Sequence, residues 1–569
     1  MLANLKIPGS YFEEISNLPP AVAPVATALP AFVGYTERAT DARGNSLFRQ
    51  LVKVADQQAF HDHFGRGPEP DVTAVTLNAA LELTASDITI PYYLYDALRL
   101  FYRNGGGVCY VYSLGAYPDD GTVDAALITG ADGALEQIAK VDEPTLLLFP
   151  DAAKLSAADL GIVQQAALRQ CGDLKDRFTI CDCRLDDPLG TNFRTNVGIN
   201  NLKYGAAYTP HLSTRLDRGL RYGLLRDIQL TLPDGPLAAT GFDDAALHGG
   251  NAEIAALLAQ NETVADLDEE AATLLGHAFG DTPDDTALQG QLTDLHAGDG
   301  PDPTPVSTAR DAFTTALADY LTFLGTTPTE QEVSARNHTL RQAFVAYREL
   351  AEAAYEPETN LRNVFLPYRN VVTGLERTPQ PVPPSGAVAG VYARTDRELG
   401  VWRAPANKSI VGILGPTDRF TRDELSGLNV DAATGKSINA IRPFTGRGTQ
   451  IYGDRTLTGN DGDNRYVETR RTLIFLEESI KKATEAFVFE PNNKSTWVRV
   501  KAMIENFLNV QWRAGALRGA VPAEAYRVVA DLGASMTEDD VRSGRLIIDV
   551  ALAINKPAEF IILRFSQSL

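Results

Sequence analysis

Four cysteines in 569 residues is a small number, and Cys109, Cys171, Cys181 and Cys183 are too irregularly spaced to lay out a disulfide framework. Buried free thiols are the expected state. Histidine is scarce too, at seven, and neither HExxH nor GxSxG occurs, so metalloprotease and serine-hydrolase chemistry has no sequence signature here. No run of eighteen apolar residues offers a membrane span, which leaves direct membrane insertion without a segment to perform it. The opening residues lack a basic patch followed by an apolar stretch, and assembly in the cytoplasm is expected. Positive charge is also short: 52 Lys and Arg against 73 Asp and Glu give a net charge of −21. That excludes the basic footprint that a nucleic-acid partner needs.

What is present is an ordinary globular composition, 44% hydrophobic and 22% charged, long enough for about two to four domains. The charge is unevenly placed. Residues 241–330 hold 17 Asp or Glu and one basic residue, Arg310, a net of −16, whereas residues 401–569 hold 23 Lys or Arg against 20 acids. The first thirty residues carry Pro8, Pro19, Pro20, Pro24 and Pro30, which block helix and favour an extended arm. On a strand through "SYFEEISNL", Tyr11, Glu13 and Ile15 share one face and Phe12 lies on the other.

From residue 31 to 214 the pattern is α/β. Apolar runs at 107–114, 145–150 and 177–183 alternate with helical stretches near 91–103 and 151–170. Residues 215–360 read as an acidic surface insertion with two helices, the second placing Val333, Leu340, Phe344 and Tyr347 on one face. Residues 361–400 read as a return segment whose Pro-rich stretch 377–390 is a linker or a tightly constrained loop, and 401–569 as a core domain. There, "RRTLIFLEESIKKATEAF" sets Leu473, Leu476 and Ile480 on one face and pairs Glu477 with Lys481 and Glu478 with Lys482. In the next helix Trp497, Val500, Ile504, Phe507 and Leu508 form a core stripe, with Ser495 as its cap. The expected class is mixed α/β and multi-domain.

Chemistry is hard to find. "VDAATGKS" (430–437) has the Gly-Lys-Ser of a phosphate loop but Val430 where the first glycine is required. The glycines of "NGGGVCYVY" precede a strand, whereas dinucleotide folds place them between strand and helix. "HDH" (61–63) offers two imidazoles along one face without a third ligand. The expectation is no enzyme and no cofactor; an α/β enzyme without recognisable motifs is the alternative, and another self-assembling particle or baseplate protein is a second. The stretch "IRPFTGRGTQIYGDRTL" (441–457) holds three arginines and three glycines. Arg447 and Arg455, with Asp454 beside them, are expected to make ion pairs at a protein interface, since guanidinium forks pair with carboxylates as readily as with phosphate.

The segments "SGAVAGVYARTDRELGVWRAPANKSIVGI", "INAIRPFTGRGTQIYGDRTL", "RYVETRRTLIFLEESIKKATEAFVFEPNNKSTW", "FLNVQWRAGALRGAVPAEAYRV" and "KPAEFIIL" resemble the contractile tail sheath family of phages and phage-tail-like injection particles. "PGSYFEEISNLPPAVAPVATALPAFVGYTE" is similar to that family's opening arm and "AAYTPHL" (206–212) to its short motif near the end of the first α/β domain. The resemblance implies stacked hexameric rings around an inner tube protein, a core domain completed by the N-terminal arm (residues 1–30), and contraction that drives the tube through a target envelope. It implies baseplate, terminal cap proteins and sheath paralogues as partners, and a particle or virion, released or not, as location. The arms would add strands to neighbouring copies through Tyr11, Phe12, Glu13 and Ile15 at one end and Phe560, Ile561, Ile562 and Leu563 at the other. The basic balance of the last third points to Arg470, Arg471, Lys481 and Lys482 as a tube-facing set.

Overall fold

The computed structural model describes residues 22–559 apart from 119, 216–218, 278–279, 281 and 295–302. The expected mixed α/β, multi-domain architecture is the one observed. The chain divides into two compact units, one built from 28–394 and 405–465, the other from 395–404 with the residues before 28 and after 465.

The larger unit is organised on an eight-stranded sheet. Its strands in chain order are β1 (Pro30–Thr36), β2 (Leu51–Val54), β3 (Cys109–Ala116), β4 (Leu146–Leu148), β5 (Phe178–Asp182), β6 (Gly205–Thr209), β7 (Asn439–Phe444) and β8 (Gly448–Tyr452). They lie in the order β8-β7-β6-β5-β4-β1-β3-β2. Neighbours from β7 to β3 run parallel, and β8 and β2 close the two edges antiparallel. Every residue of β1, β4, β5 and β6 is buried. That is why they read as continuous apolar runs: parallel strands are covered on both faces. Covering helices include α1 (Gln57–Phe64), α2 (Leu94–Arg103) and α3 (Ala157–Leu174), the last capped by Ser156, which accepts from the Asp159 N–H.

A second sheet joins Asp71–Leu77 and Leu83–Thr89 to Gln229–Leu232 and Gly235–Pro236. Its core mixes Val75 and Leu77 with Leu230, Phe242 and Tyr368, so the region expected as a surface insertion shares a core with earlier chain. Beyond it, α4 (Ala252–Leu275), α5 (Thr304–Leu324) and α6 (Glu330–Tyr355) share Leu267, Phe313, Leu317, Leu340 and Tyr347 as a core. Thr329 and Glu332 form a capping box at the start of α6.

Two expectations about boundaries change. The Pro-rich "linker" leads straight into α7 (Ser385–Leu399), a helix buried from Ser385 to Tyr392. The Ser385 N–H donates to Asp182 (2.9 Å), and Tyr392 shares a 2.6 Å hydroxyl contact with Tyr208. Gly386 and Gly390, one turn apart, let it lie on α2: a Cβ would stand 2.1 Å from the Ala97 carbonyl and 2.4 Å from that of Phe101. Residues 405–465 also belong to the larger unit, because β7 pairs with β6 there.

The smaller unit contains α8 (Val467–Thr484), α9 (Lys494–Arg513) and an antiparallel pair, β9 (Tyr526–Val529) and β10 (Asp549–Leu552). Leu476, Val500, Ile504, Phe507, Leu508 and Val528 form its core, with Val22 and Val25 packed against it. Asn493, not Ser495, caps α9, accepting from the Ser495 and Thr496 N–H groups. The stripe expected on α8 is wider than Leu473, Leu476 and Ile480: Val467 through Thr472 are all buried.

Candidate functional site

In a doubly wound sheet, ligands bind outside the carboxyl ends of the strands where the strand order reverses. Here that point lies between β1 and β4, with β3 on the other side of β1. A side chain fills it. The Asp151 carboxylate accepts the N–H groups of Tyr35 (2.8 Å), Tyr93 (2.5 Å) and Leu94 (2.8 Å) at the start of α2. Gly34 permits the fit, since a Cβ there would be 2.3 Å from Asp151 Oδ2. Burial pushes the Asp151 carboxyl up to about 6 against the pull of those three N–H groups. The helix N-terminus that would cradle a phosphate is thus occupied by the chain's own anion.

The remaining chemical motifs are absorbed by packing. Lys436 is buried and its Nζ donates to the Arg194 carbonyl, so the loop at 430–437 turns its lysine inward. His61 and His63 sit on a helix rather than a strand and diverge: His61 Nε2 meets the Tyr95 hydroxyl at 3.1 Å, and His63 Nδ1 donates to the Thr40 carbonyl at 3.2 Å. All four thiols are buried.

The 441–457 stretch splits. Its first part is the β7–β8 hairpin, where the exposed Arg447 guanidinium lies 4.8 Å from the Phe444 ring. Arg442 sits over the same ring (4.9 Å) and over Tyr452 (5.1 Å). Asp454 and Arg455 are buried inside the unit. The Arg455 N–H donates to Asn439 Oδ1 (2.8 Å) and its Nη1 to the Gly459 carbonyl (2.9 Å). Within this stretch, Arg447 keeps a surface position suited to a partner, and Arg455 serves its own fold.

On α8 the four basic residues do not share a face. Arg470 and Arg471 are 5% and 3% exposed. Arg470 pairs with Glu477 (2.8 Å), the acid that i,i+4 spacing assigns to Lys481. Arg471 pairs with Asp396 (2.5 Å) and donates to the Thr27 carbonyl (2.9 Å). Both arginines therefore neutralise and tie the interior, which corrects their assignment to an outward face. Lys481 and Lys482, with side chains 62% and 37% exposed, flank Glu478 at 3.2 and 3.6 Å and remain at the surface. Spacing alone could not reveal Asp396 as a partner 75 positions away.

The strand-arm residues Tyr11, Phe12, Glu13, Ile15, Phe560, Ile561, Ile562 and Leu563 lie outside the described residues. What is described is the root of the first arm: the Val25 N–H donates to Ser479 Oγ (3.2 Å), and Thr27 is held by Arg471. Near the start of α9, Phe489 is fully exposed with a left-handed φ of 70°.

Residues 306–457 match the phage tail sheath protein central domain and residues 460–568 the phage tail sheath C-terminal domain. The tail sheath protein of Vibrio phage KVP40 is 31% identical over 151 residues, 26% of this chain and 21% of that protein. The tail sheath protein of Burkholderia phage BcepMu is 22% identical over 226 residues, 39% of this chain and 46% of the relative. The chain thus matches less than half the length of each of these curated relatives. Fold similarity extends further. A chain of the anti-feeding prophage helical sheath in its contracted state aligns over 99% of this chain and 100% of its own, at 23% identity and a TM-score of 0.54. A chain of the PVC sheath complex, an extracellular contractile injection system in its contracted state, aligns over 99% and 98%, at 20% identity and a TM-score of 0.53.

Proposed function

The chain belongs to the contractile tail sheath family, and from that premise we propose that it is the sheath subunit of a phage-tail-like injection particle. Copies stack as hexameric rings around an inner tube, between a baseplate and terminal cap proteins and with sheath paralogues where the particle has them. The discontinuous smaller unit carries this reading: residues 22–27 join the core made by the last hundred residues, so an arm leaves that unit at its root. A sheet of two strands is marginal by itself. Strands supplied by the terminal segments of neighbouring copies, residues 1–20 and 560–569, complete it and link the subunits into a mesh.

Contraction follows from two packings of the same copies. Rings assembled on the tube occupy the higher-energy packing until the baseplate releases them, and small gains at each interface add over the stack. Lys481 and Lys482 are the tube-facing candidates that keep an exposed position, and Arg447 is the candidate for an intersubunit ion pair. The subunit is made in the cytoplasm and leaves, where it leaves, as part of the particle. The end-to-end fold similarity to injection-system sheath chains supports that particle over a phage tail.

Negative-stain microscopy of the full chain and of a chain lacking residues 1–20 tests the proposal. Rings or cylinders from the first and loose subunits from the second are expected. Small uniform particles from both would overturn it and restore the enzyme alternative.

A further inference from the structure

The helical insertion is acidic, yet its contact with the strand core is basic. Where α6 meets the loop after β1, Gln331 donates to Asn45 Oδ1 (2.8 Å) and Ser334 to the Gly44 carbonyl (3.0 Å). Gly44 approaches so closely that a Cβ there would lie 2.6 Å from the Ala335 Cα. One turn on, His338 reaches the same loop, and Arg341 follows a turn later on α6, within electrostatic range of Glu37 and Arg38. His338 Nδ1 lies 3.5 Å from Thr40 Oγ1, and the Thr40 carbonyl is held by His63. Arg38 sends Nη2 to the carbonyls of His61 (3.1 Å) and Asp62 (3.4 Å), while its buried Nε has no acceptor among the described residues.

Arg341 is half-buried and makes no hydrogen bond or ion pair with the described residues. Burial lowers its pKa, Arg38 adds a like charge, and among the described residues the Glu37 carboxylate acts on it in the other direction. Neighbouring acids are partly engaged by the backbone. Glu37 Oε2 accepts the Arg66 N–H (2.8 Å), and Asp41 accepts from the Arg43 and Asn45 N–H groups and from Asn45 Nδ2. Two guanidinium groups and an imidazole therefore gather with unfilled donor capacity at the seam between the insertion and the core.

The geometry points to an oxyanion site formed by Arg38, Arg341, His338 and the Thr40 hydroxyl, which takes a phosphate-sized or carboxylate anion and clamps α6 to the loop. Such an anion supplies several lone pairs at once, matching guanidinium forks that make no ion pair with a carboxylate among the described residues. It also removes the mutual repulsion of Arg38 and Arg341, which half-burial strengthens relative to water.

Isothermal titration of the full chain with inorganic phosphate, and separately with acetate, at fixed pH and with ionic strength held by sodium chloride, tests the site. Saturable binding of at least one anion is expected, phosphate the tighter if the occupant is a free tetrahedral anion and acetate if it is a carboxylate group. Arg341→Gln should weaken that binding by about tenfold or more, as loss of a charge-assisted fork predicts, and Arg447→Gln, at the distant hairpin, should leave it unchanged. Should Arg341→Gln fail to fold, Arg341→Lys and His338→Gln serve, each expected to weaken binding. Absence of saturable binding to the unaltered chain overturns the proposal, as do Arg341 and His338 variants that bind like it.

Discussion

Arg471 is the knot of the smaller unit. One guanidinium joins α8, Asp396 and the Thr27 carbonyl, side chains and backbone from three separate stretches of chain. Arg471→Met keeps most of the apolar stem but leaves Asp396, 6% exposed, as an uncompensated buried carboxylate. Removing one partner of such a pair costs about 3–5 kcal/mol. Replacing both, as Arg471→Met with Asp396→Leu, should return stability to within about 1 kcal/mol of the unaltered chain, because the desolvation penalty then disappears for both ions. The assay is built into the sequence: Trp402, Trp497 and Trp512 are the three tryptophans, and all lie in the smaller unit. Urea unfolding followed by tryptophan fluorescence therefore reports this unit. A single variant within about 0.5 kcal/mol of the unaltered chain, or a double variant no better than the single, would refute the account of Arg471 as a buried tie.

Three further outcomes follow from the same geometry. Burial pushes the Asp182 carboxyl up to about 7 against the pull of the Ser385 N–H; the folded chain then binds more protons than the unfolded chain between about pH 4 and 7, so stability falls as pH rises through that window. Asp182→Asn, which can still accept from Ser385, should gain on the unaltered chain between pH 5 and 8, by at most about 4 kcal/mol, and parallel pH profiles for the two proteins would contradict this. Phe489→Gly removes a left-handed strain of about 1–2 kcal/mol and no buried area, the ring being 103% exposed; unfolding should show stability unchanged or raised by up to about 1 kcal/mol, and a clear loss would mean the ring packs on something. Burial pushes the thiols of Cys109 and Cys181 up to about 12 and raises those of Cys171 and Cys183 as well. The native chain should accordingly resist Ellman's reagent until denatured, and one rapidly reacting thiol would be a counterexample.

Elements whose signal is local were legible. The runs at 107–114, 145–150 and 177–183 became β3, β4 and β5 because strands covered on both faces are apolar throughout. Val333, Leu340 and Tyr347 marked the inner face of α6 because one helix met one core. The misreadings share a different cause. "RTPQPVPPSGAVAG" reads as a linker because proline and small residues dominate it, yet Gly386 and Gly390 are small in order to meet α2, and Asp182, 203 positions away, receives the Ser385 N–H at the start of α7.

The same cause moved Arg470 and Arg471 from the expected surface to the interior. Glu468 to Thr472 is a polar run, which hydropathy assigns to water, and only the distant Asp396 and the arm at Thr27 make it an interior. This matters for function, because the buried arginine that sequence offers as a contact to another protein is spent holding the arm to its own subunit. In the proposed assembly an arm linking copies needs a root that does not pull out, and a charged tie buried with its partner resists withdrawal more than an exposed pair would. Lys481 and Lys482, further along the same helix, are the basic residues of that set that keep a surface position, which makes them the tube-facing candidates of the proposed assembly. Their double reversal to glutamate should weaken tube binding while sparing the fold, the opposite division from Arg471→Met.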